Sequence, residues 1–369
     1  MGISEPIQTA ANPPRRAAKR DDDAMLRAAV ELTRDLGRPD PAIYWADMVG
    51  SAVLGYAALA GAILIAAPWA ALACALVAVL ALYRAGSFIH ELTHIKHSDL
   101  PGFRFGWNAL VGVPMLVPSF LYENVHTQHH ARTRYGTAQD PEYLPLALMK
   151  PWTLPLFVLI SALAPIGVLF RFAVLTPLGL VIPAVRAKNI ASFSAMSINP
   201  AYRRRAPEGA FRRIWLAQEA ACSLFAIALL AMVATGILPL RAFLIILAVQ
   251  SGVMVLNQVR TLVAHLWEND GDAISVTEQY LDSVNVPPPG LLPELWAPVG
   301  LRYHALHHLL PSVPYHALPA AHRRLSTTLG PESSYHPANH GGLFPLVARL
   351  ARSTMGVRPA AQVAEQPSA

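Results

Sequence analysis

Charged residues are scarce in this chain: they make up 14% of its 369 residues, against roughly 25% in soluble globular domains. Mean hydropathy is +0.36. These values exclude a disordered chain, a nucleic-acid-binding tail protein and an ordinary cytosolic enzyme. Only two cysteines occur, Cys74 and Cys222, and both lie in apolar segments, which argues against a disulfide framework and a thiolate metal site. We therefore expect an integral membrane protein that binds no nucleic acid.

The first 40 residues also lack an apolar segment, so we expect no cleavable signal peptide there. Residues 1–40 are predicted to form a polar tail with a short amphipathic helix from Ala24 to Leu36. Residues 41–330 are predicted to form the membrane domain, and residues 331–369 a flexible C-terminal tail.

Long apolar segments with little or no charge predict two membrane hairpins. Val49–Tyr83 contains no charged residue, and at about 1.5 Å per residue a helix of this length exceeds one bilayer crossing. Pro68 lies near its middle, which indicates two helices that turn there. Trp215–His265 is predicted to form a second such pair that turns at residues 238–240, with Glu219 as its only acidic residue and Arg241 at the turn.

Two other apolar segments, residues 105–122 and 151–185, are broken by prolines. The first is predicted to be interfacial or re-entrant. The second, interrupted by Arg171 and five prolines, fits either another hairpin or two interfacial helices, and the sequence leaves both open. The predicted fold is therefore an all-α integral membrane protein. It has two transmembrane helical hairpins (about four spans), interfacial helices and a cytoplasmic histidine-rich cap.

Basic residues set the predicted orientation, because Lys and Arg near the ends of spans favour the cytoplasmic side. Arg84 and Lys96 lie near the end of the first hairpin, and an arginine run precedes the second. If both hairpins turn on the far side, their returning ends near His90 and His265 emerge together in the cytoplasm. We therefore expect the histidines and both termini to be cytoplasmic. The arginine run comprises Arg203, Arg204, Arg205, Arg212 and Arg213.

Histidine is abundant, with 14 residues against 23 Asp plus Glu. Most fall in three clusters of the form HxxxH, HxxHH and HxxHH. Residues three and four apart share one face of a helix, so each cluster can present two imidazoles to one metal ion. A lone HxxH pair arises mostly by chance, but three clusters on one predicted side favour a metal site, and so many rings suggest two ions. Imidazole suits zinc, copper, iron or nickel. The clusters are His90 and His94; His126, His129 and His130; and His304, His307 and His308.

The order and form of these clusters resemble the membrane fatty acid desaturase family. The resemblance covers about Tyr44 to Leu329. Two details strengthen it: the segment Tyr303–Pro311, which is typical of the third histidine box, and the Asp-Pro-Glu sequence that begins at Asp140. The resemblance implies a non-haem diiron centre held almost wholly by histidine, with O2 as co-substrate and an acyl chain as substrate.

The resemblance also implies a ninth ligand, because family members carry a further histidine at the cytoplasmic end of the fourth span, where this chain has His265. Some members have a longer first box, so His97 stays open. We expect ordinary structural or solvated roles for His316, His322, His336 and His340. The implied ligands are His90, His94, His126, His129, His130, His265, His304, His307 and His308.

Acidic residues that flank the boxes are candidates for orienting the ligand rings, since a metal-bound histidine usually donates its other N–H to a carboxylate. Capping of helices is an equally good explanation for them. These residues are Glu91, Glu123, Asp140, Glu268 and Asp270.

The reaction implied by the resemblance is desaturation of a fatty acyl chain, carried by a lipid or an acyl thioester, with O2 and two electrons. The alternative is a hydroxylase or ketolase on the same scaffold, and no motif separates the two. A membrane metal-binding or transport protein is a more remote alternative, because such a protein would place its ligands inside the spans.

The electrons are expected to come from a separate protein. The chain has no GxGxxG nucleotide fingerprint, and its His340-Gly341-Gly342 sequence lacks the proline of the haem-binding HPGG motif. We therefore expect an external donor of the ferredoxin or cytochrome type. The region from Arg203 to Arg213 is a candidate surface for it.

Overall fold

The structure is a computed structural model that describes residues 21–146, 149–150, 152–269 and 271–355. These residues contain helices and isolated β-bridges but no β-strand. Within them, five helices are long and apolar enough to cross a membrane by length and composition. The all-α membrane class is thus confirmed. The sequence predicted about four such helices; these five are Pro41–Leu64, Pro68–His94, Thr153–Val181, Gly209–Ala234 and Leu240–Leu262.

The first hairpin consists of α2 (Pro41–Leu64) and α3 (Pro68–His94). Each helix begins with a proline, a residue suited to the first helical position because it has no N–H to satisfy. The carboxylate of Asp40 accepts the backbone N–H of Ala42 and caps α2. The hairpin turns at Pro68 as predicted, and α3 continues to the first histidine cluster.

Short helical pieces connect this hairpin to the next long helix. They comprise α4 (Phe103–Trp107), a π-helical turn (Asn108–Gly112), a 3₁₀ turn (Ser119–Leu121) and α5 (His126–His129). This connection carries the second histidine cluster.

The third long helix occupies the segment whose structure the sequence left open. It runs through α6 (Thr153–Phe170), a π-helical turn (Arg171–Leu175) and α7 (Thr176–Val181) without interruption. The side chain of Arg171 is buried, and its guanidinium lies 2.8 Å from a carboxylate oxygen of the buried Glu219. This ion pair explains how a charged residue fits within the apolar segment.

The second predicted hairpin follows the helix α8 (Pro183–Phe193) and consists of α9 (Gly209–Ala234) and α10 (Leu240–Leu262). Its turn lies where the sequence predicted it. The α10 helix packs against both α3 and α6, so its carboxyl end lies beside the histidines of α3.

Most of the remaining described residues form shorter helices and the loops between them. These helices are α1 (Asp23–Thr33), α11 (Val276–Asp282), α12 (Pro293–Trp296), α13 (His304–Leu309), α14 (Leu318–Thr328) and α15 (Leu343–Met355), with 3₁₀ turns at Tyr315–Ala317 and His336–Ala338. Three isolated β-bridges join segments of this part of the chain: His265–Ser283, Asn285–Tyr303 and Asn285–Asn339.

The predicted N-terminal helix is present as α1, which packs on α14. Residues 1–20 and 356–369 of the predicted tails lie outside the described residues. The histidine-rich cap and the domain boundaries at 40 and 330 stay predictions.

Candidate metal centre

Nine histidines meet where α3, α5, α10 and α13 converge. They form two groups, and within each group one ligand atom of every histidine lies within 4.8 Å of the others. All nine histidines named from the sequence are members. The group of five contains His90, His94, His126, His130 and His307, and the group of four contains His129, His265, His304 and His308.

Each HxxHH cluster contributes to both groups. His307 belongs to the group of five and His308 to the group of four, because adjacent residues of a helix point in directions about 100° apart. The same applies to His129 and His130. The rings of His130 and His308 stack with their centroids 4.2 Å apart, so the two groups are in direct contact.

The chemistry of these rings fits bound metal. Burial lowers the pKa of His126, His130 and His307 well below the usual value, which keeps them in the neutral form that metals bind. Both ring nitrogens of the buried His90 have no hydrogen-bond partner, an arrangement that is costly unless a ligand satisfies them. Inward-facing nitrogens come as close as 2.9 Å, between Nε2 of His126 and Nε2 of His130.

Carboxylates hold the outer nitrogens of two rings. Nδ1 of His129 lies 2.9 Å from Oδ2 of the fully buried Asp140, and Nδ1 of His126 lies 2.9 Å from Oε1 of Glu142. Burial lowers the pKa of His129, but the attraction of Asp140 outweighs it and leaves that pKa raised. Because each carboxylate accepts a hydrogen bond from the Nδ1–H of its ring, it directs Nε2 toward the histidine group.

In the group of four, the Nδ1 atoms of His265 and His304 have different partners. Nδ1 of His265 lies 2.9 Å from the hydroxyl of Tyr135, which donates to Asp282 at 2.7 Å. Nδ1 of His304 lies instead 3.0 Å from the guanidinium of Arg260, a group that can only donate.

Asp140 is thus the only one of the five flanking acids for which the structure shows a hydrogen bond to one of the nine rings. Glu91 accepts from the hydroxyl of Tyr44 and from the backbone N–H of Tyr315; one of its oxygens is 3.6 Å from Nδ1 of His90. Glu268 pairs with the partly exposed Arg349. Asp270 lies outside the described residues.

Glu123 and His97 contact each other rather than the nine rings. Nε2 of His97 lies 3.4 Å from Oε2 of Glu123, and the same carboxylate accepts from Arg104 and Ser119. His97, which the sequence left open, is therefore in neither group.

Sequence reasoning missed Glu142, Tyr122, Tyr135, Asp282 and Arg260. Only two of them offered a signal: Glu142 ends the Asp-Pro-Glu sequence, and Arg260 is the one charged residue between Arg241 and Glu268. The tyrosines and Asp282 had no distinctive spacing.

A cavity of about 280 Å³ opens from the histidines into the helix bundle. His90 and His304 line it together with Tyr122, while Val111 and Met115 contribute apolar wall. The cavity can therefore place an apolar chain beside both histidine groups.

Comparisons with known proteins agree with this geometry. A family model described as fatty acid desaturase matches residues 66–339, a range that contains all nine histidines. A ceramide hydroxylase from Caulobacter vibrioides (strain NA1000 / CB15N) is 50% identical over 335 residues, which cover 90% of this chain and 94% of that protein. No solved structure matches.

Proposed function

The chain belongs to the fatty acid desaturase family of membrane oxidoreductases, and on this premise we propose that it is an O2-dependent lipid hydroxylase whose substrate is a ceramide. The observation that carries the proposal is the 50% identity to a ceramide hydroxylase over nearly the full length of both chains. It favours the hydroxylase alternative over the desaturation implied by the histidine boxes. The shared scaffold accounts for the resemblance to desaturases.

The nine histidines are proposed to hold two iron ions, five rings on one side and four on the other. When bound, the iron pair supplies the oxidation of an unactivated C–H bond by O2, which no side chain can perform. Asp140 and Glu142 hold the rings of His129 and His126 in place. Apolar residues of the cavity bind the lipid chain and exclude water from the carbon beside the histidines.

The electron donor is proposed to be an external protein of the ferredoxin or cytochrome type. Arg203, Arg205, Arg212 and Arg213 are exposed and suit an acidic partner. Arg204 does not belong to this surface, because it is buried and donates to the backbone carbonyls of neighbouring residues.

The histidines and both termini are proposed to face the cytoplasm, as the distribution of basic residues favours. A cysteine introduced at the exposed Thr328 should react with a membrane-impermeant maleimide only when the cytoplasmic side is accessible. Reaction from outside intact cells would contradict this orientation.

Lipid analysis of a ceramide-producing host that lacks its own hydroxylase tests the function. Expression of the chain should yield ceramide with one added oxygen atom, and His307→Ala should abolish this product at equal expression. Ceramide or fatty acids that lose two hydrogens and gain no oxygen would favour a desaturase instead.

Iron content tests the proposed ligands. His265→Ala should lose iron as severely as His307→Ala, because each belongs to one of the two groups. His97→Ala should keep wild-type iron, since His97 contacts Glu123 rather than the nine rings. Equal iron in wild type and His265→Ala would remove His265 from the set.

A further inference from the structure

Arg260 carries a buried charge whose ordinary partner is missing. It lies in the last turn of α10, is 8% exposed and lines the cavity. In the part of the chain that the structure describes, it forms no ion pair, and its one side-chain hydrogen bond goes to Nδ1 of His304. A guanidinium has five N–H donors, and a buried charge is costly unless it is paired and hydrogen-bonded.

Metal binding would remove even this acceptor. Nε2 of His304 lies 3.0 Å from Nε2 of His265 and 3.2 Å from Nε2 of His308, so Nε2 is the nitrogen that faces the group. A neutral ring that binds metal through Nε2 carries its proton on Nδ1. Nδ1 can then no longer accept from Arg260, and the guanidinium needs another acceptor in the cavity.

Neighbouring residues of α10 add further donors to the same cavity wall. Gln258 is 8% exposed, and its Nε2 is buried without a hydrogen-bond partner. Asn257 also lines the cavity. It shares a helix face with Arg260, which lies three residues further along the chain. Glu142 also lines the cavity, and its charge acts on Arg260, but its carboxylate already accepts from Tyr122 and holds His126. We call Asn257, Gln258 and Arg260 the donor band.

We propose that the donor band binds a carbonyl oxygen in the polar linkage of the lipid substrate. Arg260, at one end of the donor band, contacts His304. A carbonyl group that binds to the band therefore lies close to the histidines, and the carbon that is oxidised lies within a few bonds of this carbonyl. The polar end of the lipid then lies inside the bundle beside the histidines, with its apolar chain toward Val111 and Met115. This inference rests on the proposed function and specifies how its substrate is held.

Binding measurements on the iron-loaded protein in lipid nanodiscs test the donor band without turnover. The probes are a radiolabelled short-chain ceramide, a free fatty acid and an alkane, all with the same chain length. Gln258→Met and Arg260→Gln should each weaken ceramide binding about tenfold, as expected for a lost buried hydrogen bond, and leave alkane binding unchanged. Iron is quantified in each variant because Arg260 touches His304, whereas Gln258→Met leaves the hydrogen bonds of the nine rings intact.

Gln250→Met is the matched control, since this glutamine lies on the same helix but donates to the backbone carbonyl of Met115. It should leave the ratio of ceramide to alkane affinity as in wild type. A loss that is equal for ceramide and alkane, or no loss in Gln258→Met and Arg260→Gln, would overturn the proposal. If the fatty acid binds more tightly than ceramide and Arg260→Gln weakens this binding, the result would support the donor band. It would also show that the oxygen bound by the band belongs to a carboxylate.

The position of the new hydroxyl gives a second, independent readout. Tandem mass spectrometry of the product should place it close to the carbonyl linkage, and a hydroxyl in the distal half of the chain would overturn the proposal. If the wild-type enzyme hydroxylates no lipid, the proposed function is wrong. The difference between ceramide binding and alkane binding still tests the donor band in that case.

Discussion

Asp140 shows how a single buried carboxylate orders part of the candidate metal centre. Its two oxygens contact Nδ1 of His129 and accept the backbone N–H groups of Gly136 and Glu142. The side chain is fully buried, so no water replaces a lost contact. The orientation of the His129 ring therefore depends on a residue that is not one of the nine histidines.

Replacing Asp140 by asparagine should weaken iron binding by roughly 10- to 100-fold. The asparagine amide keeps the shape but replaces one of the two acceptor oxygens by an NH2 group. His129 and the two backbone N–H groups, which now use both carboxylate oxygens, would then share a single neutral acceptor. Competition with an iron chelator on the purified protein measures the change. Glu123→Gln is the control, because Glu123 contacts His97 and Arg104; equal iron loss in both variants would contradict a specific role for Asp140.

The histidines themselves were predictable from the sequence, because a repeated spacing of three and four residues predicts a shared helix face. His265 has no such partner and was found only through the family resemblance. Tyr135 contacts His265 from 130 residues away, and its hydroxyl donates to Asp282, which lies 147 residues further along the chain than Tyr135. Contacts of this kind depend on tertiary packing, and local spacing carries no trace of them.

Helix packing within the first hairpin depends on small residues. A Cβ atom added at Gly55 would lie 2.6 Å from Cδ2 and 3.1 Å from the backbone nitrogen of Leu82. These positions belong to α2 and α3, and α3 carries His90 and His94. Close approach of two helices at glycine is a common device in membranes, and here it fixes the helix that presents the first cluster.

Gly55→Ala should destabilise the protein by about 1–3 kcal/mol, because the helices must separate to admit the methyl group. Unfolding in mixed detergent micelles measures the change. Gly50→Ala on the same helix meets nothing within 4 Å and should leave stability unchanged or slightly raised. Equal effects of the two substitutions would show that packing against Leu82 is unimportant.

The sequence predicted both hairpins because long apolar segments with so few charges have few alternatives to a membrane span. It did not decide the structure of Thr153–Val181, where Arg171 and several prolines suggested breaks. The structure retains a continuous helix because Glu219, 48 residues away, pairs with Arg171 and a π-helical turn begins at this position. Neither feature is visible in a local window of sequence.

The whole molecule separates its apolar and its histidine-rich parts. Five apolar helices form the bundle, and nine of the 14 histidines meet at one end of it, beside the cavity. Other histidines have structural contacts: Nε2 of His316 accepts the backbone N–H of Asp40, and His322 contacts the hydroxyl of Tyr335. This arrangement places the candidate metal centre beside a cavity with apolar walls.

Turnover with isotopically labelled O2 tests the central claim most directly. The iron-loaded protein, a ceramide and a chemical or protein reductant are incubated under the labelled gas, and the lipid is analysed by mass spectrometry. We expect one labelled oxygen atom in each product molecule and no labelled lipid in the reaction with His307→Ala. A product that has lost two hydrogens and carries no label would contradict hydroxylation and establish desaturation instead.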